Sequence, residues 1–342
     1  MLFAAFIILS FVISYLGVEA FRRWSLRKEL LDIPNDRSSH TRPTPRGGGI
    51  VIVFVSLAAY IITASITGTA IAWGFVVGGV LVAFVSWLDD LYSLTFVWRF
   101  LVHCIAAAVV VFNVGYFSIL APFDSSYTLD LGVVGAAVTA LWIVWVINAY
   151  NFMDGIDGIA GLQAVVAFIG WSAAAWVVGS PAIALFAAAS AAACLGFLIH
   201  NWAPAKIFMG DVGSAFLGFS LASIPLLITS NAPASLPDMP ILAVAFIWPF
   251  VFDTLLTFFR RLFRGEKVWT AHREHLYQRM IIAGRSHKTV SKIYGVLASI
   301  IVIAAFALYF WSVPWKYGVY AAMAFAATVP LYLAQKNVDR SL

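Results

Sequence analysis

Asn148 to Gly161, NAYNFMDGIDGIAG, gathers two carboxamides, two carboxylates and glycines at 155, 158 and 161 at the point where a long apolar segment, residues 131–147, runs out. Oxygen donors of this kind suit a hard divalent cation. Ionisable groups kept at the edge of an apolar segment mark function. Asn148, Asn151, Asp154 and Asp157 are spaced three apart. On a straight helix each step of three turns about 300°, so the four would fan over roughly half the circumference. Gly155 and Gly158 therefore predict a bend or a broken helix.

Four further clusters carry chemistry-bearing side chains. WLDDLYSL places Asp89 and Asp90 at the end of an apolar run. Neighbouring helical residues point about 100° apart, so one acid would work while the other supports it, and an interfacial cap explains the pair equally well. HNWAPAKIFMGDVGSAFLG brings Lys206 for a phosphate, Phe208 for stacking on a base, and Asp211 at a helix start, where a carboxylate is favoured. LLDIPNDRSSHTRPTPRGGGI offers Arg37, His40, Arg42 and Arg46, with glycine amides as added phosphate donors. RRLFRGEKVWTAHREHLYQRMIIAGRSHK contains His272, Arg273, His275 and Arg279. His-x-x-His invites zinc, but no third ligand is local, and a cationic clamp for phosphates is the better functional reading. Plain solvated basic loops account for the last two stretches without any ligand. His103 reads as a hydrogen-bonded interior residue, Pro249 as a kink, and Asp253 as the ion-pair partner of Arg260.

The elements that must position these groups are set by composition. At 62% hydrophobic and 11% charged over 342 residues, with mean hydropathy +0.93, the chain reads as all-α, a polytopic transmembrane bundle of ten or eleven spans in one domain, residues 1–342. Apolar runs fall near 2–20, 50–66, 71–88, 99–118, 131–148, 160–178, 182–200, 212–229, 241–259, 290–312 and 317–334. Alternating them leaves only Lys316 of the 21 Lys and Arg residues on one side. The positive-inside rule makes the other side the cytoplasm and the N-terminus external. Cytoplasmic loops are then 21–49, 89–98, 148–160, 200–212 and 260–289. The net charge of +5 faces anionic lipid or an anionic substrate and gives no sign of nucleic acid. Basic residues follow the first apolar run instead of preceding it, which reads as an anchor and not a signal peptide. Cys104 and Cys194 lie inside apolar runs and form no disulfide framework.

The acids, unlike the cations, are not sorted by the positive-inside rule, yet they crowd the same face. Carboxylates and carboxamides without thiolates suit Mg2+, with Mn2+ as its substitute, bound through one or two carboxylates and substrate phosphates. Cations beside such a site imply a phosphorylated substrate and phosphoryl transfer.

The signature Asn-x-x-Asn-x-x-Asp-Gly-x-Asp-Gly, the PTPRGGG loop, the Asp pair, FMGDVGS and the histidine loop, in that complement and order, resemble the polyprenyl-phosphate N-acetylhexosamine-1-phosphate transferases, glycosyltransferase family 4. The resemblance covers nearly the whole chain. It implies transfer of a sugar 1-phosphate from a UDP-N-acetylhexosamine to undecaprenyl phosphate in the bacterial inner membrane, releasing UMP. It further implies Asn151 and Asp211 on Mg2+, Asp89 and Asp90 as the essential pair handling the lipid phosphate, and Asp154 as an essential polar group near the nucleoside. Asp157 and Phe208 match the uracil-recognising positions, and Arg273 and His275 the clamp on diphosphate and sugar. Asn148, Lys206, His272, Arg279, Arg42 and Arg46 complete the expected substrate contacts. A homodimer is compatible with this reading.

The histidine loop departs from relatives that read Pro-Asp-Arg-x-His-x-His-His-Arg: Tyr277 and Gln278 replace two histidines and His272 replaces the Asp. HREHLYQR resembles the O-antigen branch, accepting UDP-GlcNAc, UDP-FucNAc or UDP-QuiNAc. Leu94 stands where the muramoyl-pentapeptide enzymes carry Lys, against that substrate. The alternatives are the same chemistry in teichoic acid or enterobacterial-antigen synthesis, a non-catalytic lipid-phosphate binder and, from another class, an ion-coupled transporter. A transporter would set its acids near the midplane of repeated halves, and no repeat is visible.

Overall fold

The computed structural model describes residues 2–34, 42–121, 127–231, 236–267, 272–310 and 315–335. Arg37 and His40 lie outside the described residues. In chain order the helices are α1 (Leu2–Arg27), α2 (Gly49–Thr67), α3 (Trp73–Tyr92), α4 (Phe96–Asn113), α5 (Val134–Phe152), α6 (Ile159–Val177), α7 (Pro181–Asn201), α8 (Asp211–Ser230), α9 (Met239–Phe246), α10 (Trp248–Phe263), α11 (Leu276–Ile282), α12 (His287–Phe310) and α13 (Trp315–Gln335). Two small antiparallel pairs complete the structure. β1 (Leu31–Asp32) meets β2 (Thr44–Pro45), and β3 (Ile119–Leu120) meets β4 (Leu129–Asp130).

Among the described residues ten helices are long and apolar enough to cross a membrane, and α9 and α10, bent by 79° at their junction, pass the same test only when taken together. The expected kink at Pro249 is a full break instead. The first helix ends at Phe246, and Pro249 sits in the opening turn of the next, where its missing amide and fixed φ cost nothing.

α8 is the axis of the bundle. Every residue from Val212 to Ile228 is buried, as expected of a helix that is apolar on all sides. Where its neighbours come closest, side chains vanish. A Cβ on Gly218 would sit 2.7 Å from the Val146 carbonyl oxygen on α5, and one on Gly49 would sit 2.4 Å from Gly213 Cα. Small residues let membrane helices approach to backbone contact. Phe219 stacks on Phe75, which meets Tyr60 and Phe186 edge-on, filling the space between α2, α3, α7 and α8.

The end of the bundle opposite the acidic loops is tied by Lys316. It is buried, lies 2.7 Å from Asp238, and donates to the Ala121 carbonyl at 2.6 Å.

Candidate functional site

The glycine-flanked signature does break the helix. α5 ends at Phe152, so Asn148 and Asn151 ride its last turns, while Asp154 and Asp157 lie in the following loop. Gly158, at φ +77°, enters α6 in a left-handed conformation open to glycine at little cost. Asn201 at the end of α7 fixes this loop from beneath. Its Oδ1 accepts from Gly158 N at 2.9 Å and its Nδ2 donates to the Ile207 carbonyl at 2.9 Å.

The two members of the Asp pair have separate tasks. Asp90 leaves α3 and caps a different helix: its carboxylate accepts the amides of Asp211 at 3.1 Å and Val212 at 3.2 Å, at the start of α8. That satisfies two of the donors every helix N-terminus leaves open. Gly210 makes room for it, since a Cβ there would lie 2.6 Å from Asp90 Oδ2. Asp89 instead pairs with Arg99 on α4, whose Nη1 also lies 3.1 Å from Asp211 Oδ2. Asn151 donates to Ser214 Oγ at 2.9 Å, one turn along α8 from Asp211, and Asn151 and Asp211 line one cavity at one end of the bundle.

The PTPRGGG loop docks on the FMGD segment through its backbone. Phe208 N donates to the Pro45 carbonyl at 2.8 Å, Gly48 N to the Phe208 carbonyl at 3.0 Å, and Gly49 N to the Met209 carbonyl at 2.9 Å. Arg46 thereby reaches 3.9 Å from Asp90.

The result is a cavity of about 240 Å³. Its lining includes Arg46, Asp90, Asn151, Asp154, Asp157, Phe208 and Asp211, and all five alternate loops contribute to it. Burial, together with the charges of Asp211, Asp90 and Asp157, pushes the Asp154 carboxyl well above the usual carboxylate range. Asp157 is partly committed to the scaffold. It accepts Ala205 N at 3.0 Å and lies 3.3 Å from His287 Nδ1. Among the described residues no three His, Cys, Asp or Glu side chains stand close enough to cage a metal. Asn151 and Asp211 are a donor set that fits a cation completing its shell with phosphate oxygens and water, as Mg2+ does.

Comparisons with known proteins bear on this arrangement. Residues 72–229, α3 through α8, match the family model described as glycosyl transferase family 4. A decaprenyl-phosphate N-acetylglucosaminephosphotransferase of Mycobacterium leprae is 30% identical over 318 residues, covering 82% of this chain and 77% of the relative. The chain belongs to glycosyl transferase family 4. A probable undecaprenyl-phosphate N-acetylglucosaminyl 1-phosphate transferase of Bacillus subtilis is 29% identical over 311 residues, covering 88% of this chain and 85% of the relative. An undecaprenyl-phosphate alpha-N-acetylglucosaminyl 1-phosphate transferase of Escherichia coli is 28% identical over 300 residues, 83% of this chain and 79% of the relative.

Other residues expected at the family 4 site stand elsewhere. Asn148 donates to the Val144 carbonyl and faces His103. With His272 and His275 it lines a second cavity of about 330 Å³, mostly apolar, between α4, α5 and α10. His275 is buried as the N-cap of α11, with Nδ1 3.1 Å from Asp253. Burial, with His275 and Arg261 nearby, pushes His272 down to about 4, so it carries no charge at neutral pH and any clamp there falls to the arginines. Arg42 and Lys206 are exposed, and neither they nor Arg273 and Arg279 line the acidic cavity.

Asp253 is not the partner of Arg260. Its buried carboxylate accepts the amides of Leu276 and Tyr277 and the Tyr294 hydroxyl, at 2.8, 3.2 and 2.6 Å. A short helix end outcompetes a solvated guanidinium because its amides have no other acceptor. Sequence reasoning missed Arg99, Asp32, His287 and Gln278. Arg99 carried a signal, a cation inside an apolar run ten residues past the Asp pair, but counting it toward orientation concealed it.

Proposed function

We propose that this family 4 protein transfers an N-acetylhexosamine 1-phosphate from a UDP-sugar to undecaprenyl phosphate, releasing UMP, on the cytoplasmic face of the bacterial inner membrane. The observation that carries the reading is the single cavity to which all five alternate loops bring acids, an amide, an arginine and an aromatic ring. An oxygen of the acceptor phosphate attacks the β-phosphorus of the UDP-sugar. The bond from that phosphorus to the bridging oxygen breaks, and its electron pair leaves with UMP. The anomeric bond is untouched, so its configuration is retained.

Asn151 and Asp211 are the residues that would hold Mg2+, or Mn2+ in its place. When bound, the cation would neutralise charge on the diphosphate oxygens. Asp90 holds the α8 N-terminus, and with it Asp211, beside that diphosphate. Asp89 and Asp90 handle the acceptor phosphate, Asp154 lies near the nucleoside, and Asp157 and Phe208 receive uracil. Arg46, the arginine in the cavity lining, meets the phosphates. UDP-GlcNAc is the first donor to test, because the named relatives are N-acetylglucosaminyl phosphate transferases. Gln278, the α11 residue that lines the cavity, is where a preference for UDP-FucNAc or UDP-QuiNAc, and with it an O-antigen role, would be set.

The test uses purified full-length protein in nanodiscs, Mg2+, undecaprenyl phosphate and a panel of labelled UDP-N-acetylhexosamines. Lipid-linked sugar and UMP should form in equal amounts with one donor preferred, and Asp211→Ala should abolish both. UDP-sugar binding without lipid-dependent UMP release would overturn the proposal.

A further inference from the structure

Arg99 bridges the acids of two helices with a single nitrogen. Nη1 meets Asp89 Oδ2 at 2.5 Å and Asp211 Oδ2 at 3.1 Å, while Nε of the same guanidinium is buried with no acceptor among the described residues. Strong guanidinium–carboxylate pairs frequently use two parallel donors. This one places its charge between two carboxylates and leaves a donor unspent. One turn deeper on the same face of α4, His103 Nε2 is also buried and unpartnered. The arginine is 26% exposed, so its head has room to leave.

We propose that Arg99 is an exchangeable counter-ion, standing between Asp89 and Asp211 where a divalent cation is to bind, so that its pairing with Asp211 and cation binding exclude each other. The inference rests on the proposed cation at Asn151 and Asp211 and adds what occupies that place beforehand. Asp89, Asp90 and Asp211 converge with no metal cage around them among the described residues. Like charges so close make ionisation costly, and the guanidinium between Asp89 and Asp211 offsets part of that cost. A divalent ion bound to Asp211 Oδ2 would bring two more positive charges beside Nη1, at a separation where a few ångströms of partly buried space screens them poorly. One of the two cations has to go, and the arginine is tethered by a flexible stem. Arg99 is therefore a positioning residue: it keeps α3 and α8 in register before the cation arrives.

The experiment is Mn2+ binding to full-length protein in nanodiscs, read from the electron paramagnetic resonance signal of free Mn2+, for wild type, Arg99→Met, Arg46→Met and Asp211→Asn. An arginine-closed state that predominates about tenfold weakens apparent affinity about tenfold, so Arg99→Met should bind Mn2+ about tenfold more tightly. Arg46→Met removes one charge from the same cluster and should gain much less, and an equal gain there would overturn the proposal by reducing the effect to net charge. In wild type, phenylglyoxal labelling of Arg99, followed by mass spectrometry, should rise severalfold when Mn2+ is added, and an unchanged rate would also overturn it. Asp211→Asn separates the two readings. If it binds Mn2+ as wild type does, the metal assignment fails. If it loses binding while Arg99→Met binds no more tightly than wild type, only the counter-ion proposal fails.

Discussion

Replacing Asp253 by Ala tests how the histidine loop is held. The carboxylate is buried among five donors: the amides of Leu276 and Tyr277, the Tyr294 and Thr257 hydroxyls, and His275 Nδ1. Truncation orphans at least two amides and one hydroxyl, each costing about 1–3 kcal/mol when no substitute acceptor reaches it. Relaxation and a water entering the space would recover part of that, leaving about 3 kcal/mol, roughly a hundredfold in an opening equilibrium. α11 has seven residues, too few to hold its own helix in isolation, so the loss falls on it first. Amide hydrogen exchange over residues 276–283 should accelerate about a hundredfold in Asp253→Ala, with the spans unchanged. Donor affinity should fall too, because Gln278 leaves the cavity wall. Asp253→Asn, which keeps one acceptor oxygen, should lose less. Exchange over α11 as slow as wild type in the Ala variant would refute the assignment of Asp253 as the cap.

Gly49→Ala should lower the melting temperature, with a cost of about 1–3 kcal/mol for overpacking, because its Cβ would lie 2.4 Å from Gly213 Cα and backbone cannot rotate away. An unchanged melting temperature would mean that α2 and α8 are not in backbone contact. Asp154 gives a pH signature. Its carboxyl is raised in the fold by burial and by neighbouring carboxylates, so the folded state binds the proton more tightly than the unfolded chain. The associated stability is present below about pH 4, the ordinary value, and is lost as pH rises toward the folded value. In EDTA, Asp154→Asn should flatten the decline in melting temperature across that window, and parallel profiles for the two proteins would show the carboxyl to be ionised in the fold.

The fold was legible because hydropathy alone dictates it. A chain in lipid must satisfy its backbone within each segment, so apolar runs of span length have one outcome, and the eleven expected runs correspond to ten spans and one broken pair. The break at Ile247 was not legible. Pro249 marked the place, but a proline in the first turn of a helix and one kinking its middle read alike in sequence, and only packing against α6, α8 and α12 decides between them.

In the site, residue types were legible and their division of labour was not. Spacing showed that Asp89 and Asp90 must diverge, yet whether each faces ligand, solvent or another helix depends on α8 arriving with two open amides, a fact of tertiary structure. Arg99 shows the same limit from the other side. Its value as a charge in a loop count is fixed by position in the chain, whereas its value as a bridge between Asp89 and Asp211 exists only once α3, α4 and α8 share one end of the bundle. A converging set of acids in a medium that screens poorly is stabilised by a positive charge among them, and the nearest cation on an adjoining helix is the first residue to examine for that role.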